Sequence, residues 1–172
     1  MTLRQETGRR HGQTRMSAVI GMHRYPQEYV ATVRAADARD YLVTTGLPEQ
    51  SSIFVAAEGG ELSAGGRDLL QVSDAENGGS YFIDRDSGEI MLWDGELGNL
   101  VYVNASPRQF GESVAIFEEA TAGSSQDEAE EIAARLRVEL ETLDPSALRD
   151  ETGFWQSLLM DVSIGDYADD DE

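Results

Sequence analysis

The sequence contains no cysteine and no lysine, and only 4 of its 172 residues are proline. Without cysteine the chain has no disulfide framework, no thiolate nucleophile and no zinc site built on sulfur. Because all 13 basic residues are arginine, lysine Schiff bases and phosphate-binding lysines are excluded too. No apolar run approaches the roughly 18 to 20 residues that a membrane-spanning helix needs. These absences favour a cytoplasmic protein with a packed core and no membrane contact.

The charge is strongly negative and unevenly distributed. The chain has 33 acidic residues against 13 arginines, a net charge of -20. Residues 1–39 hold seven arginines and three acids, so residues 40–172 carry -24. Such a charge repels phosphate backbones, which argues against nucleic acid as a direct partner.

Composition divides the chain into three parts. Residues 1–24 include five arginines and no sustained apolar period, so we predict a disordered leader. Its apolar run, residues 16–22, is too short and too interrupted for a signal peptide. Residues 25–165 are predicted to form a single domain, and residues 166–172 an acidic tail.

The middle of the chain has the texture of an antiparallel meander. A short helix is predicted over 36–45, ended by Gly46 and Pro48. Short apolar runs separated by Gly, Asp and Asn then predict five strands, at 53–57, 69–73, 81–84, 90–93 and 100–103. Gly88 is predicted to take the left-handed position of a hairpin turn. The glycine-rich segment 58–66 is interpreted as flexible loop.

The remainder has helical periodicity. Ser106 and Gln109, with Pro107 between them, predict a capping box, and Ser125 with Glu128 predicts another. The apolar stripes of these two helices are Phe110, Val114 and Phe117, and Ile132, Leu136, Leu140 and Leu143.

Asp144 and Pro145 are predicted to end the second of these helices, and Glu131 and Arg135 to pair across one turn of it. A last helix is predicted around Phe154, Trp155, Leu158, Leu159 and Val162. Strands followed by helices indicate an α+β fold, an antiparallel meander of about five strands flanked by helices.

No residue set indicates catalysis, a cofactor or a metal. His11 and His23 both lie in the predicted leader, which gives neither a partner for acid–base or metal chemistry. Glu118 and Glu119 are adjacent on a helix and point about 100° apart, so they indicate a solvated face rather than a paired-carboxylate site.

The aromatic residues offer a binding hypothesis. Trp155 is interpreted as core, while Trp93 lies beside Asp94 and Glu96 and is the better candidate for an interface. The tail residues Asp169, Asp170 and Asp171 have two open interpretations, a disordered solubilising end or a contact with a basic partner.

Several phrases together resemble a known family. They are GLP at 46–48, LLQVS at 69–73, YFIDRDSGEIMLW at 81–93, YVNASPRQF at 102–110 and FWQSLLMDVSIGDY at 154–167. The chain resembles the SUKH superfamily of bacterial immunity proteins, most of all its fourth family, over residues 37–167. The leader and the acidic helix at 125–143 depart from the resemblance.

The resemblance implies a SUKH-like fold and a non-enzymatic antitoxin. Its partner would be a cognate toxin domain, a basic nuclease or a nucleic-acid deaminase, whose active site it occludes. The partner-binding residues proposed on this basis are Trp93, Asp94, Glu96, Asp169, Asp170 and Asp171. A general interaction or regulatory module and a metal-dependent carboxylate hydrolase stay open as alternatives, and the sequence specifies no oligomeric state.

Overall fold

The computed structural model describes residues 21–76 and 78–168. The strands are β1 (Met22–His23), β2 (Leu47–Pro48), β3 (Phe54–Ala56), β4 (Glu61–Ala64), β5 (Arg67–Ala75), β6 (Ser80–Asp84), β7 (Ile90–Asp94) and β8 (Asn99–Asn104). The helices are α1 (Ala36–Thr44), α2 (Pro107–Thr121), α3 (Ala129–Leu143) and α4 (Phe154–Ser163), with short 3-10 helices at Gln126–Glu128 and Pro145–Leu148. The predicted α+β class is confirmed.

The main sheet is antiparallel throughout. Its strands lie in the order β3, β5, β6, β7, β8, and β4 pairs with the first half of β5. The five predicted strands are all present, so the meander is confirmed. Helices cover one face of this sheet, where the main core forms. No helix in residues 21–76 and 78–168 is long and apolar enough to cross a bilayer.

The interpretation of segment 58–66 as loop was wrong, because it contains β4. Leu62 pairs with Leu69, and Ala64 pairs with Arg67 across a two-residue turn. Gly65 and Gly66 form that turn with φ of 59° and 74°. Two consecutive positive φ angles are what a tight type I′ hairpin needs, and glycine adopts them without strain.

The fold begins earlier in the chain than the predicted domain boundary at residue 25. Met22 pairs with Pro48 and His23 with Leu47, so β1 and β2 form a small second sheet. Gly46 turns the chain into β2 with φ of 80°, and a Cβ there would lie 2.0 Å from the His23 carbonyl oxygen. Residues 21–24 of the predicted leader therefore belong to the fold, while residues 1–20 lie outside the described residues.

The predicted hairpin between β6 and β7 is confirmed. The Gly88 N–H donates to the Asp84 carbonyl at 2.9 Å, and Gly88 has φ of 79°. The Asp84 carboxylate accepts the N–H groups of Asp86 and Ser87 at 2.8 and 3.1 Å. These short contacts hold the turn, as expected for Asp at the start of a loop.

At the start of α2 the Ser106 half of the predicted capping box is present, whereas the Gln109 side-chain NH₂ group donates outside the box. Ser106 Oγ accepts the Gln109 N–H at 3.2 Å, which confirms Ser106 as the N-cap. The side-chain amide of Gln109 donates to the Leu143 carbonyl at 3.3 Å. Gln109 therefore joins the start of α2 to the end of α3.

The acidic helix α3 has a confirmed start and a corrected ion pair. The Ser125–Glu128 capping box is present, on the 3-10 helix that precedes α3. Arg135 Nε lies 3.9 Å from Glu139 Oε1, so Arg135 pairs with this later acid and the prediction of a Glu131 pair was wrong. Glu131 lies one helical turn before Arg135 and Glu139 one turn after it, so the sequence alone offers the arginine two acidic partners.

The main core lies between the sheet and helices α2, α3 and α4. Phe54, Tyr81 and Phe110 pack together with ring centroids 5.1 to 6.1 Å apart. Trp155 is fully buried, which confirms its interpretation as core. These large aromatic side chains supply much of the buried apolar area on which the fold depends.

A buried polar network joins the last strand to two helical segments. The Trp155 indole N–H donates to Asn104 Oδ1 at 3.0 Å. The Asn104 amide donates to Asp144 Oδ2 at 2.9 Å, and the Ala105 N–H donates to the same oxygen at 2.9 Å. Asp144 ends α3 as predicted, and its carboxylate also fixes the chain that leaves β8.

Candidate partner-binding surface

A second apolar cluster lies on the sheet face opposite the helices. Leu69, Phe82 and Met91 are buried at its centre. Half-buried around them are Leu62, Ala64, Trp93, Leu100 and Tyr102. Antiparallel sheets commonly leave one face to solvent, and the half-buried side chains give this face an apolar character. We call it the outer face.

Trp93 lies on the outer face near one end of the sheet. Ser80 pairs with Trp93, which pairs with Leu100, so the three side chains share a face. Asp74 pairs with Ser80 on the other side, and its Oδ1 accepts the Ser80 hydroxyl at 3.0 Å. Trp93 therefore lies two strands away from the exposed carboxylate of Asp74.

Asp94 and Glu96 lie in the turn between β7 and β8. Asp94 Oδ1 accepts the N–H groups of Glu96 and Leu97 at 2.9 and 3.0 Å. Glu96 is exposed, and Leu97 at the tip of the turn is 76% exposed. Asp94 thus has a structural role in the turn in addition to its charge, whereas Glu96 is available to a partner.

The topology brings further acids to the same end of the sheet. β5 and β7 run in the same direction because β6 lies antiparallel between them. Asp74 and Glu76, at the end of β5, therefore lie at the same end as Asp94 and Glu96. We call these four residues the acidic end. Of the four, only Asp94 is half-buried, and the other three are exposed.

The pKa of Tyr167 is affected by burial and by carboxylates that include Glu76 of the acidic end. Its ring packs edge-on against Phe117, with centroids 5.0 Å apart. Burial raises the pKa of the Tyr167 hydroxyl above its ordinary value, and nearby carboxylates raise it further. Those carboxylates belong to Asp161, Glu76, Asp166 and Glu118.

The arginines of the sheet lie at its other end and are occupied there. Arg67 contacts Asp84 and Glu89 at 2.7 and 2.5 Å. The Arg85 guanidinium contacts Asp68 at 2.7 Å and one more acid of β4. Across the described part of the chain, no arginine lies within 4.0 Å of a carboxylate of the acidic end. Its negative charge is therefore uncompensated.

The three predicted tail residues lie outside the described residues, and one of the two histidines lies in the fold. Asp169, Asp170 and Asp171 follow Tyr167 and Ala168 in sequence but lie outside the described residues, as does His11. His23 lies in β1 with its Nε2 2.8 Å from Glu58 Oε1. Within residues 21–76 and 78–168, no group of three or more histidines and acids could hold a metal ion.

A comparison with family models decides the relationship. The model described as "SUKH-4 immunity protein" matches residues 2–161, which is nearly the whole chain. The chain belongs to the SUKH-4 family. Searches of the curated proteins and of the solved structures find no significant match.

The SUKH-4 match confirms the resemblance and extends it. It covers most of the predicted leader and also the acidic helix at 125–143, two segments that the sequence had set apart. Membership implies an immunity function against a toxin, and therefore a cognate toxin as partner. Proteins of an immunity family are generally non-enzymatic.

Trp93, Asp94 and Glu96 lie close together because they are neighbours in the chain, and their role in binding a partner stays a prediction. The sequence missed Asp74 and Leu100, which reach the same surface only through strand pairing. The alternation of side chains in neighbouring strands is the signal that could have found them, once the register was known.

Proposed function

We propose that this SUKH-4 protein is a cytoplasmic immunity protein that binds and neutralises a toxin domain acting on nucleic acid, a basic nuclease or a nucleic-acid deaminase. The family match over residues 2–161 carries this proposal. In this proposal the protein neutralises the toxin by binding it and covering its active site, and no covalent bond is made or broken.

The charge of the chain supports a basic target. An enzyme that acts on nucleic acid holds phosphates with cationic side chains, so its site attracts a surface of opposite potential. The acidic end offers four carboxylates that no arginine of the described residues neutralises. Such complementarity speeds the encounter and selects the partner more than it adds raw affinity.

The outer face supplies the apolar part of the proposed interface. Hot spots of protein interfaces are enriched in tryptophan and lie inside a polar rim. Trp93 has this arrangement, with Leu100 beside it and Asp94 and Glu96 at the rim. The tail residues Asp169, Asp170 and Asp171 add negative charge to the partner-binding set in this proposal.

Co-expression tests the immunity function directly. Candidate toxin domains from the neighbouring genes are expressed in bacteria with and without this protein, and growth is measured. Rescue of growth together with a stable complex at low salt supports the proposal. A toxic domain that kills equally well in the presence of the protein contradicts it and favours a general interaction module.

Charge variants test the contact residues. Asp94→Asn keeps an acceptor for the turn while removing the charge, and Glu96→Gln removes an exposed charge. The double variant should slow association with the toxin about threefold to tenfold at low salt, because rim charges act mainly on the association rate. The control is a second double variant, Glu139→Gln with Glu141→Gln, which removes the charges of two exposed acids on α3. This control should leave the association rate unchanged.

A further inference from the structure

The two edges of the main sheet are built differently. On one edge, β3 and β4 are strands of three and four residues that share β5. The Ala56 N–H, in β3, donates to the Glu49 carbonyl at 2.9 Å, and Gln50 bridges to Val55. Short, interrupted and covered strands are the usual protection of a sheet edge.

The other edge, β8, has none of these protections along its first half. Its six residues, Asn-Leu-Val-Tyr-Val-Asn, include no charge and no proline. Within residues 21–76 and 78–168, residues 99–103 make no backbone hydrogen bond other than those of the ladder with β7. Because alternate residues of an edge strand direct N–H and C=O groups outward, β8 offers a template for another strand.

The 3-10 helix after α3 contacts β8 in the second half of the strand. The Tyr102 hydroxyl lies 2.6 Å from Ser146 Oγ, and Asn104 is fully buried. Exposure increases toward the other end of the strand, where Leu100 and Val101 are half-buried and Asn99 is exposed. The accessible part of the edge therefore adjoins the acidic end and the outer face.

Charge selects the occupant of this edge. A second copy of the chain would bring another -20 charge to a strand that begins beside Asp94 and Glu96. A basic segment gains attraction at the same place. The geometry points to β8 as the docking edge for an extended, basic segment of the toxin, which adds to the sheet as a further antiparallel or parallel strand. This inference rests on the proposed function, since it names how that partner is held.

Main-chain pairing would supply affinity, and side chains would supply selection. In strand addition, alternate residues of the added segment face the two sides of the sheet. One set would meet Leu100 and Trp93 on the outer face. Arginines near the turn would meet Asp94 and Glu96.

Amide exchange with a synthetic probe tests the edge without knowledge of the toxin. The full-length protein is titrated with an alternating arginine–valine octapeptide, followed by NMR shifts and amide hydrogen exchange. In the free protein, alternate amides of residues 99–103 should exchange fast, and the peptide should slow them at least about tenfold. A peptide with a central proline, which cannot donate there, and an alternating glutamate–valine peptide should leave these rates unchanged.

Three results would overturn the inference. They are shifts that fall outside β8 and its neighbours, equal binding of the glutamate–valine peptide, and β8 amides already protected by concentration-dependent dimerisation of the free protein. The last result would assign the edge to a second copy. Each is independent of the co-expression assay, in which growth rescue succeeds or fails whatever happens at β8.

A pair of variants extends the test to the toxin. Leu100→Lys places a positive charge on the edge strand, and Val138→Lys makes the same charge change on α3, where Val138 is 62% exposed. Leu100→Lys should weaken the complex about tenfold or more, and Val138→Lys should not. Equal affinities of the two folded variants would contradict the docking edge, and the peptide titration decides the matter if Leu100→Lys does not fold.

Discussion

Asn104 connects parts of the chain that are far apart in sequence. Its side-chain oxygen accepts from Trp155 Nε1, and its amide donates to Asp144 and, at 3.3 Å, to Ser113 Oγ. The amide thus has both kinds of partner in a fully buried position. Buried polar groups with all their partners specify one packing arrangement, because each alternative leaves a group unsatisfied.

Replacement of Asn104 measures this network. Asn104→Ala leaves the Trp155 N–H without its partner and removes one of the two hydrogen bonds to Asp144 Oδ2, so we expect a loss of about 2 to 4 kcal/mol in the free energy of unfolding. The matched control is Asn99→Ala on the same strand, which is exposed and should change stability by less than about 0.5 kcal/mol. Urea unfolding followed by tryptophan fluorescence gives both values, and a similar effect of the two variants would contradict the role of the network.

At the residue scale, the sequence distinguishes the two tryptophans but does not predict the buried polar network around Asn104. Trp155 falls in an apolar helical stripe, which predicts burial, and Trp93 adjoins acidic turn residues, which predicts a position near the surface. Nothing in the local pattern marks Asn104 or Asp144 as buried partners, since their contact spans 40 positions. Long-range hydrogen bonds have no sequence periodicity from which to predict them.

At the element scale, two hairpins share one design. In each, Asp ends a strand and a glycine four residues later donates its N–H to the Asp carbonyl, at 2.9 Å for Gly88 and 2.8 Å for Gly98. Both glycines have positive φ, 79° and 65°. They differ in their surroundings, because a Cβ on Gly88 would lie 3.0 Å from Ala35 and Ala38, whereas Gly98 has open space.

This difference allows the cost of the backbone conformation to be separated from the cost of crowding. Gly98→Ala should destabilise the protein by about 1 kcal/mol, since only the left-handed conformation is penalised. Gly88→Ala should cost about 2 to 4 kcal/mol, because α1 must also give way. Urea midpoints of the two variants provide the comparison, and equal losses would show that the contact of this turn with α1 relaxes freely.

Elements with strong local signals were predicted well, whereas the short strands β1, β2 and β4 were not. The Asp84–Gly88 turn and the Ser106 N-cap carry their own chemistry, so their positions follow from a few residues. Strand β4 alternates polar and apolar residues over only four positions, which is too short a pattern to predict a strand without its pairing to β5. Its Gly65–Gly66 turn was the available signal, because two adjacent glycines between short segments are typical of a two-residue hairpin.

At the scale of the whole molecule, the net charge follows from composition but its arrangement does not. The sequence gives -20, and the fold places paired arginines at one end of the sheet and unpaired acids at the other. The direction of each strand decides which carboxylates meet, so Asp74 and Glu76 could be assigned to the acidic end only from the topology.

The buried tyrosines make the stability of the whole molecule sensitive to alkaline pH. Burial raises the pKa of Tyr81, and likewise of Tyr25, well above the ordinary value of 10.0. The unfolded chain therefore loses these protons at lower pH than the folded protein does. This contribution to stability is complete below pH 10 and is lost as the pH rises above it, by about 1.4 kcal/mol per pH unit for each tyrosine.

Tyr81→Phe tests this dependence because it removes one titrating group. Above about pH 10 the free energy of unfolding of the variant should fall less steeply than that of the unchanged protein, by the slope of one tyrosine. The measurement is a series of urea unfolding curves between about pH 8 and pH 11. Parallel slopes for the two proteins would show that Tyr81 ionises as readily in the folded state as in the unfolded one.

The separation of the two apolar clusters has a consequence for evolution. The residues that hold the helices to the sheet lie on one face, and Trp93, Asp94 and Glu96 lie on the other face or in a turn. Substitutions of the half-buried residues of the outer face, such as Trp93 and Leu100, can therefore accumulate with little effect on the helix-facing core. With the outer face as the proposed recognition surface, a lineage that must follow a changing toxin can revise that surface repeatedly while the same scaffold persists, which is the condition under which new toxin–immunity pairs diverge from old ones.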